Sequence, residues 1–152
     1  MSHVLVIGFG NRLRGDDGVG PRAAEQVAES CGHNNEIECR AVPQLAPELA
    51  ADISQARAVL FLDADAEAAP GEIREQKIQP AAEGSLATCH SLSPSQLCTL
   101  CRSVYEDSPE AFLLSLGGGN FHYSPELSDT VREAFAAFTE RATRLARRLA
   151  AD

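Results

Sequence analysis

Apolar residues fall in short runs separated by stretches of helical period, and this pattern predicts the elements before any other property is considered. Val4-Leu5-Val6-Ile7 ends in Gly8, as a strand buried on both faces of a parallel sheet would, and is expected to be the central strand. Past a loop from Phe9 to Asp17, the spacing of Val19, Ala23 and Val27 predicts a helix from about Gly18 to Ser30, with Pro21 in its first turn and Gly32 as its stop. Ile37, Cys39 and Ala41 alternate with polar neighbours, so Glu36 to Val42 reads as a half-buried strand near a sheet edge. Pro43 and Pro47 bracket a turn, Glu48 to Ser54 reads as a short helix, and Ala58-Val59-Leu60-Phe61-Leu62 as a second buried strand ending at Asp63.

Pro70-Gly71 marks a turn before an exposed strand over Glu72 to Ile78, and Gln79 to Cys89 has the residues of a loop. Ser93-Pro94-Ser95-Gln96 combines an N-cap, a proline at the first helical position and a capping-box glutamine, which predicts a helix to about Tyr105. Ala111 to Leu116 is the last core strand, ended by Gly117-Gly118-Gly119. From Ser128 the positions Val131, Ala134, Phe135, Phe138, Ala142, Leu145, Ala146 and Leu149 keep the spacing of one long amphipathic helix. Five strands interleaved with helices indicate an α/β sandwich around a mostly parallel sheet. Ligands of such sheets bind beyond the carboxyl ends of the strands, so the loops after Ile7, Leu62 and Leu116 are where chemistry is sought.

Composition narrows the picture. The 152 residues, 44% hydrophobic, suit a single domain over residues 1–152 whose core needs neither disulfides nor a structural metal. A metal site would therefore serve catalysis or binding. The formal charge of -9, without a basic cluster, excludes a nucleic-acid partner. Between residues 36 and 110 thirteen carboxylates face five Lys or Arg, a solvated acidic surface. Five irregularly spaced cysteines argue for a reducing compartment, the cytoplasm, and the apolar runs fall far short of a membrane span.

Gly8-Phe9-Gly10 between a strand and a helix invites a dinucleotide-binding reading, but position 13 is Leu13 and the second strand ends in Ala41-Val42-Pro43 without an acid for a ribose hydroxyl. Asp16 and Asp17 at the helix entrance would repel a phosphate. A nucleotide-dependent oxidoreductase is thus the weakest of the rival readings, and the common signatures of P-loops, serine hydrolases and zinc proteases are missing. In Asp16-Asp17-Gly18 one aspartate suffices to cap the helix. The second is free to face the crevice into which Asp63 emerges, and two desolvated carboxylates are costly unless a cation or shared proton offsets them. His90 completes an oxygen, oxygen, nitrogen set with Asp17 and Asp63 that suits a first-row divalent metal. His3 lies at the opposite end of the sheet, His33 past a helix terminus, and His122 is a weaker candidate. Cys98 and Cys101 share one side of a helix and read as core.

The blocks Ile7-Gly8-Phe9-Gly10-Asn11, Gly15-Asp16-Asp17-Gly18-Val19-Gly20 with Arg22, Leu62-Asp63-Ala64 followed by Pro70-Gly71, and His90-Ser91-Leu92-Ser93 resemble the nickel-iron hydrogenase maturation endopeptidases. The likeness runs in order and spacing from Val4 to Leu100. It implies a three-layer α/β/α sandwich and a protease that removes the C-terminal extension of a nickel-loaded hydrogenase large-subunit precursor. It also implies a nickel-recognition triple, which falls on Asp17, Asp63 and His90, in the catalytic and metal-binding roles alike. Some relatives carry Glu at the position of Asp17. On this reading nickel arrives with the substrate, and it polarises the scissile carbonyl or lowers the pKa of a water. The rival from another class is a non-catalytic, nickel-sensing chaperone-like module that docks on the precursor without cutting it.

Overall fold

A computed structural model describes residues 3–32, 34–80, 92–106 and 108–152. Among the described residues five strands form one sheet: β1 (Val4–Phe9), β2 (Ile37–Val42), β3 (Ala58–Asp65), β4 (Ile73–Ile78) and β5 (Glu110–Gly117). Their order is β2-β1-β3-β5-β4, with every pairing parallel except that of β4 with β5. The helices described on its two faces are α1 (Val19–Cys31), α2 (Leu49–Gln55), α3 (Pro94–Tyr105) and α4 (Asp129–Ala151). A 3-10 turn over Gly15–Gly18 leads into α1.

The period-two alternation of the strands divides the core into two layers. Val4, Val6, Leu60, Leu62, Leu114 and Leu116 pack against α1 and α4. Leu5, Ile7, Val59 and Phe61 point the other way, against α2 and α3. The expected α/β/α sandwich with a mostly parallel five-stranded sheet is what forms. One placement differs. β1 is interior, between β2 and β3, but the middle position belongs to β3. Both strands are apolar on both faces, so local pattern alone does not rank them; the order follows from which crossovers the helices make.

Edge strands read as expected: β2 is only partly buried, and the polar β4 closes the far edge. The α3 capping box forms, with the Ser93 side chain accepting from the Gln96 N–H at 3.1 Å and Gln96 Oε1 accepting from the Ser93 N–H at 2.8 Å. Cys98 and Cys101 are buried against α2 and the sheet, and burial pushes the Cys98 thiol up to about 11. Among the described residues no helix is long and apolar enough to cross a membrane.

Two glycines bring the start of α1 onto the strand ends. A Cβ at Gly8 would lie 1.9 Å from the Gly20 carbonyl oxygen, and one at Gly20 would lie 2.3 Å from that of Phe9 and 2.5 Å from that of Leu62. The glycine-rich block therefore serves contact between helix and sheet, and the loop carrying Asp16 and Asp17 is drawn against the carboxyl ends of β1 and β3.

Candidate active site

Asp63 continues the face of β3 that holds Val59 and Phe61, two residues past Phe61 and opposite Ser115 of β5. Phe9 ends β1 on the same face, its ring meeting that of Phe61 edge-on with centroids 6.4 Å apart. Beyond these rings opens a cleft of about 550 Å³, lined by Asp17 and Asp63 together with Phe9, Asn11, Gln44, Leu92 and Phe121. Its size falls within the usual span of ligand sites. A wider groove of about 760 Å³ between α1 and α4 has Glu140 as its only acid and lies away from the strand ends.

The cleft therefore brings together two of the three residues singled out in the sequence. His90 lies outside the described residues, as do His33 and Cys89. Asp17 sits in the 3-10 turn, where its Oδ2 accepts the Asn11 N–H at 2.6 Å. That bond folds the Gly10-Asn11 loop back over the turn. Asp63 is held differently. Burial pushes its carboxyl up to about 7, the Ala64 N–H opposes this, and the charges of Asp17 and Asp65 add to the rise. Among the described residues no group of three His, Cys, Asp or Glu side chains is arranged to hold a metal ion.

The expected helix cap is corrected by the structure. Neither aspartate caps α1, whose N-cap is Gly18 without a side-chain hydrogen bond. Asp16 is instead fully buried and bridges to the other end of the chain. Its Oδ2 accepts from Gly119 N at 2.8 Å, Asn120 N at 2.9 Å and Ser128 Oγ at 2.8 Å, and its Oδ1 accepts from Ser128 N at 2.7 Å. Burial alone would raise its pKa, but the hydrogen bonds from Ser128, Gly119 and Asn120 together hold it below the ordinary carboxylate value. Asp16 thus fixes the loop after β5 and the start of α4 beside the cleft. Sequence reading missed this role because its partners lie 103 to 112 residues away. The one available signal was an acidic pair of which a single member could face the crevice.

His3 is at the far end of the sheet, 3.1 Å from Glu38. His122 is exposed on the loop after β5, which reaches the cleft through Phe121.

Fold and cleft together define an α/β/α protein with a paired-carboxylate site beyond the carboxyl ends of β1 and β3. No protein-family model and no curated protein matches the sequence. Solved structures do. The chain is similar to the hydrogenase maturating endopeptidase HybD from E. coli, at 18% identity over 96% of this chain and 93% of that one, with a TM-score of 0.74. It is similar to the hydrogenase 2 maturation peptidase from Thaumarchaeota archaeon SCGC_AB-539-E09, at 25% identity over 95% and 97% of the two chains, with a TM-score of 0.68. A hydrogenase 3 maturation protease is similar at 26% identity over 92% and 88%, with a TM-score of 0.63. The chain has the fold of the hydrogenase maturation endopeptidases, and the family its motifs resemble is the one its structural neighbours carry.

Proposed function

We propose that this chain is an endopeptidase that removes the C-terminal extension of a nickel-iron hydrogenase large-subunit precursor after nickel insertion, in the cytoplasm. The supporting observation is the pairing of Asp17 with a desolvated Asp63 in one cleft. Carboxylates so placed are stabilised by a cation, and a metal carried by the substrate would be such a cation. Asp17 and Asp63 offer oxygen ligands, and His90 the nitrogen expected from the family resemblance. Engaging metal already held by the precursor would set the adjacent peptide bond over the cleft floor of Phe9. Nickel supplies Lewis acidity to that bond or to an attacking water. Water then adds its oxygen to the carbonyl carbon and the C–N bond breaks, one water proton passing to the leaving amine nitrogen and the other leaving with the new carboxyl group.

Selectivity comes from the metal on this reading, since precursor lacking nickel offers nothing for the two carboxylates to bind. The test mixes the purified chain with nickel-loaded precursor and weighs the subunit by mass spectrometry. Loss of a C-terminal fragment is the expected result, abolished in Asp17→Asn and in His90→Ala. An unchanged precursor mass with a stable complex would make the protein a nickel-sensing binding module instead.

A further inference from the structure

Among the described residues the cleft holds one cation. Only Arg14, Asp17 and Asp63 are charged among its described lining residues, and Arg14 forms no ion pair with a described carboxylate. Its position is nevertheless built. Arg14 Nε donates to the Phe121 carbonyl at 3.3 Å, and Arg14 is bridged to Ser124 in a short parallel pairing. On either side, the Gly15 N–H donates to the Ser124 carbonyl and the Ser124 N–H to the Leu13 carbonyl, both at 2.8 Å. Gly15 has φ +57°, and a Cβ there would lie 2.4 Å from the Asn120 carbonyl oxygen, so the two loops approach this closely only at a glycine. Asp16 then anchors the same loop at Gly119 and Asn120. The guanidinium is thus tethered by Nε, while its two terminal nitrogens remain for a ligand.

An arginine beside two acids would ordinarily pair with one of them, and this one does not. When both acids face a cation carried by the substrate, Arg14 is the charge left over, and its planar fork matches a carboxylate. We infer that Arg14 is a specificity-determining residue that binds a carboxylate of the substrate peptide. The inference rests on the reading above that a peptide is the substrate. The carboxylate is either an acidic side chain near the cleaved bond or the free C-terminus of the extension.

The probe is a fluorescein-labelled synthetic peptide running from the metal-binding segment of the precursor to its end and loaded with nickel, read by fluorescence anisotropy. Two further forms carry an amidated C-terminus or Asn and Gln in place of the acidic side chains. Arg14→Gln is expected to bind the unmodified peptide at least about tenfold more weakly than wild type, a loss in keeping with one charge-assisted hydrogen-bonded contact, with Arg14→Lys between them. Whichever peptide form loses the same affinity toward wild type, and shows no further loss toward Arg14→Gln, identifies the source of the carboxylate. Equal binding of the unmodified peptide by wild type and Arg14→Gln overturns the inference. So does equal binding of all three forms by wild type, or no binding at all. Matching melting curves exclude misfolding. Precursor cleavage is scored separately. Cleavage without Arg14-dependent binding overturns this inference alone, and Arg14-dependent binding without cleavage overturns the endopeptidase reading alone.

Discussion

Asp16 accepts four hydrogen bonds and is closed to solvent, whereas Asp17 beside it is half-buried and accepts one from Asn11. Replacing Asp16 by Ala leaves the N–H groups of Gly119, Asn120 and Ser128 without that acceptor, and is expected to cost roughly 3 kcal/mol or more in denaturant unfolding. Asp17→Asn, with an amide oxygen still facing Asn11, is expected to stay within about 0.5 kcal/mol of wild type while losing precursor processing. Because the Asp16 pKa is depressed, its stabilisation is present above the ordinary 3.8 and is lost as pH falls through the lower native value. Asp63 has the opposite sign. Its native value of about 7 lies above the ordinary 3.8, so the folded chain binds more protons between those values, and stability falls as pH rises through that window. Asp63→Asn is therefore expected to raise the melting temperature more at pH 8 than at pH 5, by at least about 3 °C at the higher pH, while abolishing cleavage. A melting temperature unchanged at both pH values would show that Asp63 carries no burial penalty. At this scale Asp17 and Asp63 were legible as candidates because both acids follow recognisable local signals, a strand end and a helix entrance. Asp16 was not, since its partners belong to a distant segment.

Among the elements, α1 is the one whose seating sets the site. Its first turn lies so close to β1 and β3 that a side chain at Gly20 would meet the carbonyl oxygens of Phe9 and Leu62. Backbone atoms at such distances move only with the strands. Gly20→Ala is accordingly expected to destabilise the fold by about 2 kcal/mol or more, as overpacking does, with loss measurable in chemical unfolding and a fall in processing among the molecules that remain folded. Stability equal to wild type would mean that α1 can slide on the sheet without strain. Helices and strands themselves were written in the sequence. The capping box at Ser93 started α3, and buried positions such as Val131, Phe138, Ala142 and Leu145 kept the helical spacing along α4. Strand order was less accessible. β1 and β3 present equally apolar runs, and only the sheet shows that β3 lies between β1 and β5.

At the scale of the whole molecule, the formal charge is -9, and ion pairs such as Arg12 with Glu25 and Arg132 with Asp129 are exposed and contribute little to stability. On the proposed function, the activity falls to the pair of acids gathered at one end of the sheet. If nickel belongs to the precursor, the chain alone is expected to bind the ion weakly, with equilibrium dialysis after chelation returning little bound metal. A tightly held stoichiometric nickel would count against a substrate-borne ion. The sequence by itself determined the element types, the mostly parallel sheet and the family its motifs resemble, and singled out Asp17 and Asp63 as candidates, because each rests on periodicity, capping or a short motif. Tertiary structure decided the strand order, the burial that raises Asp63, the bridge from Asp16 to Ser128 and the tether of Arg14 to Phe121. Those depend on contacts between residues far apart in the chain, whose closeness is set only when both faces of the sheet are covered and the loops at its carboxyl end are packed together.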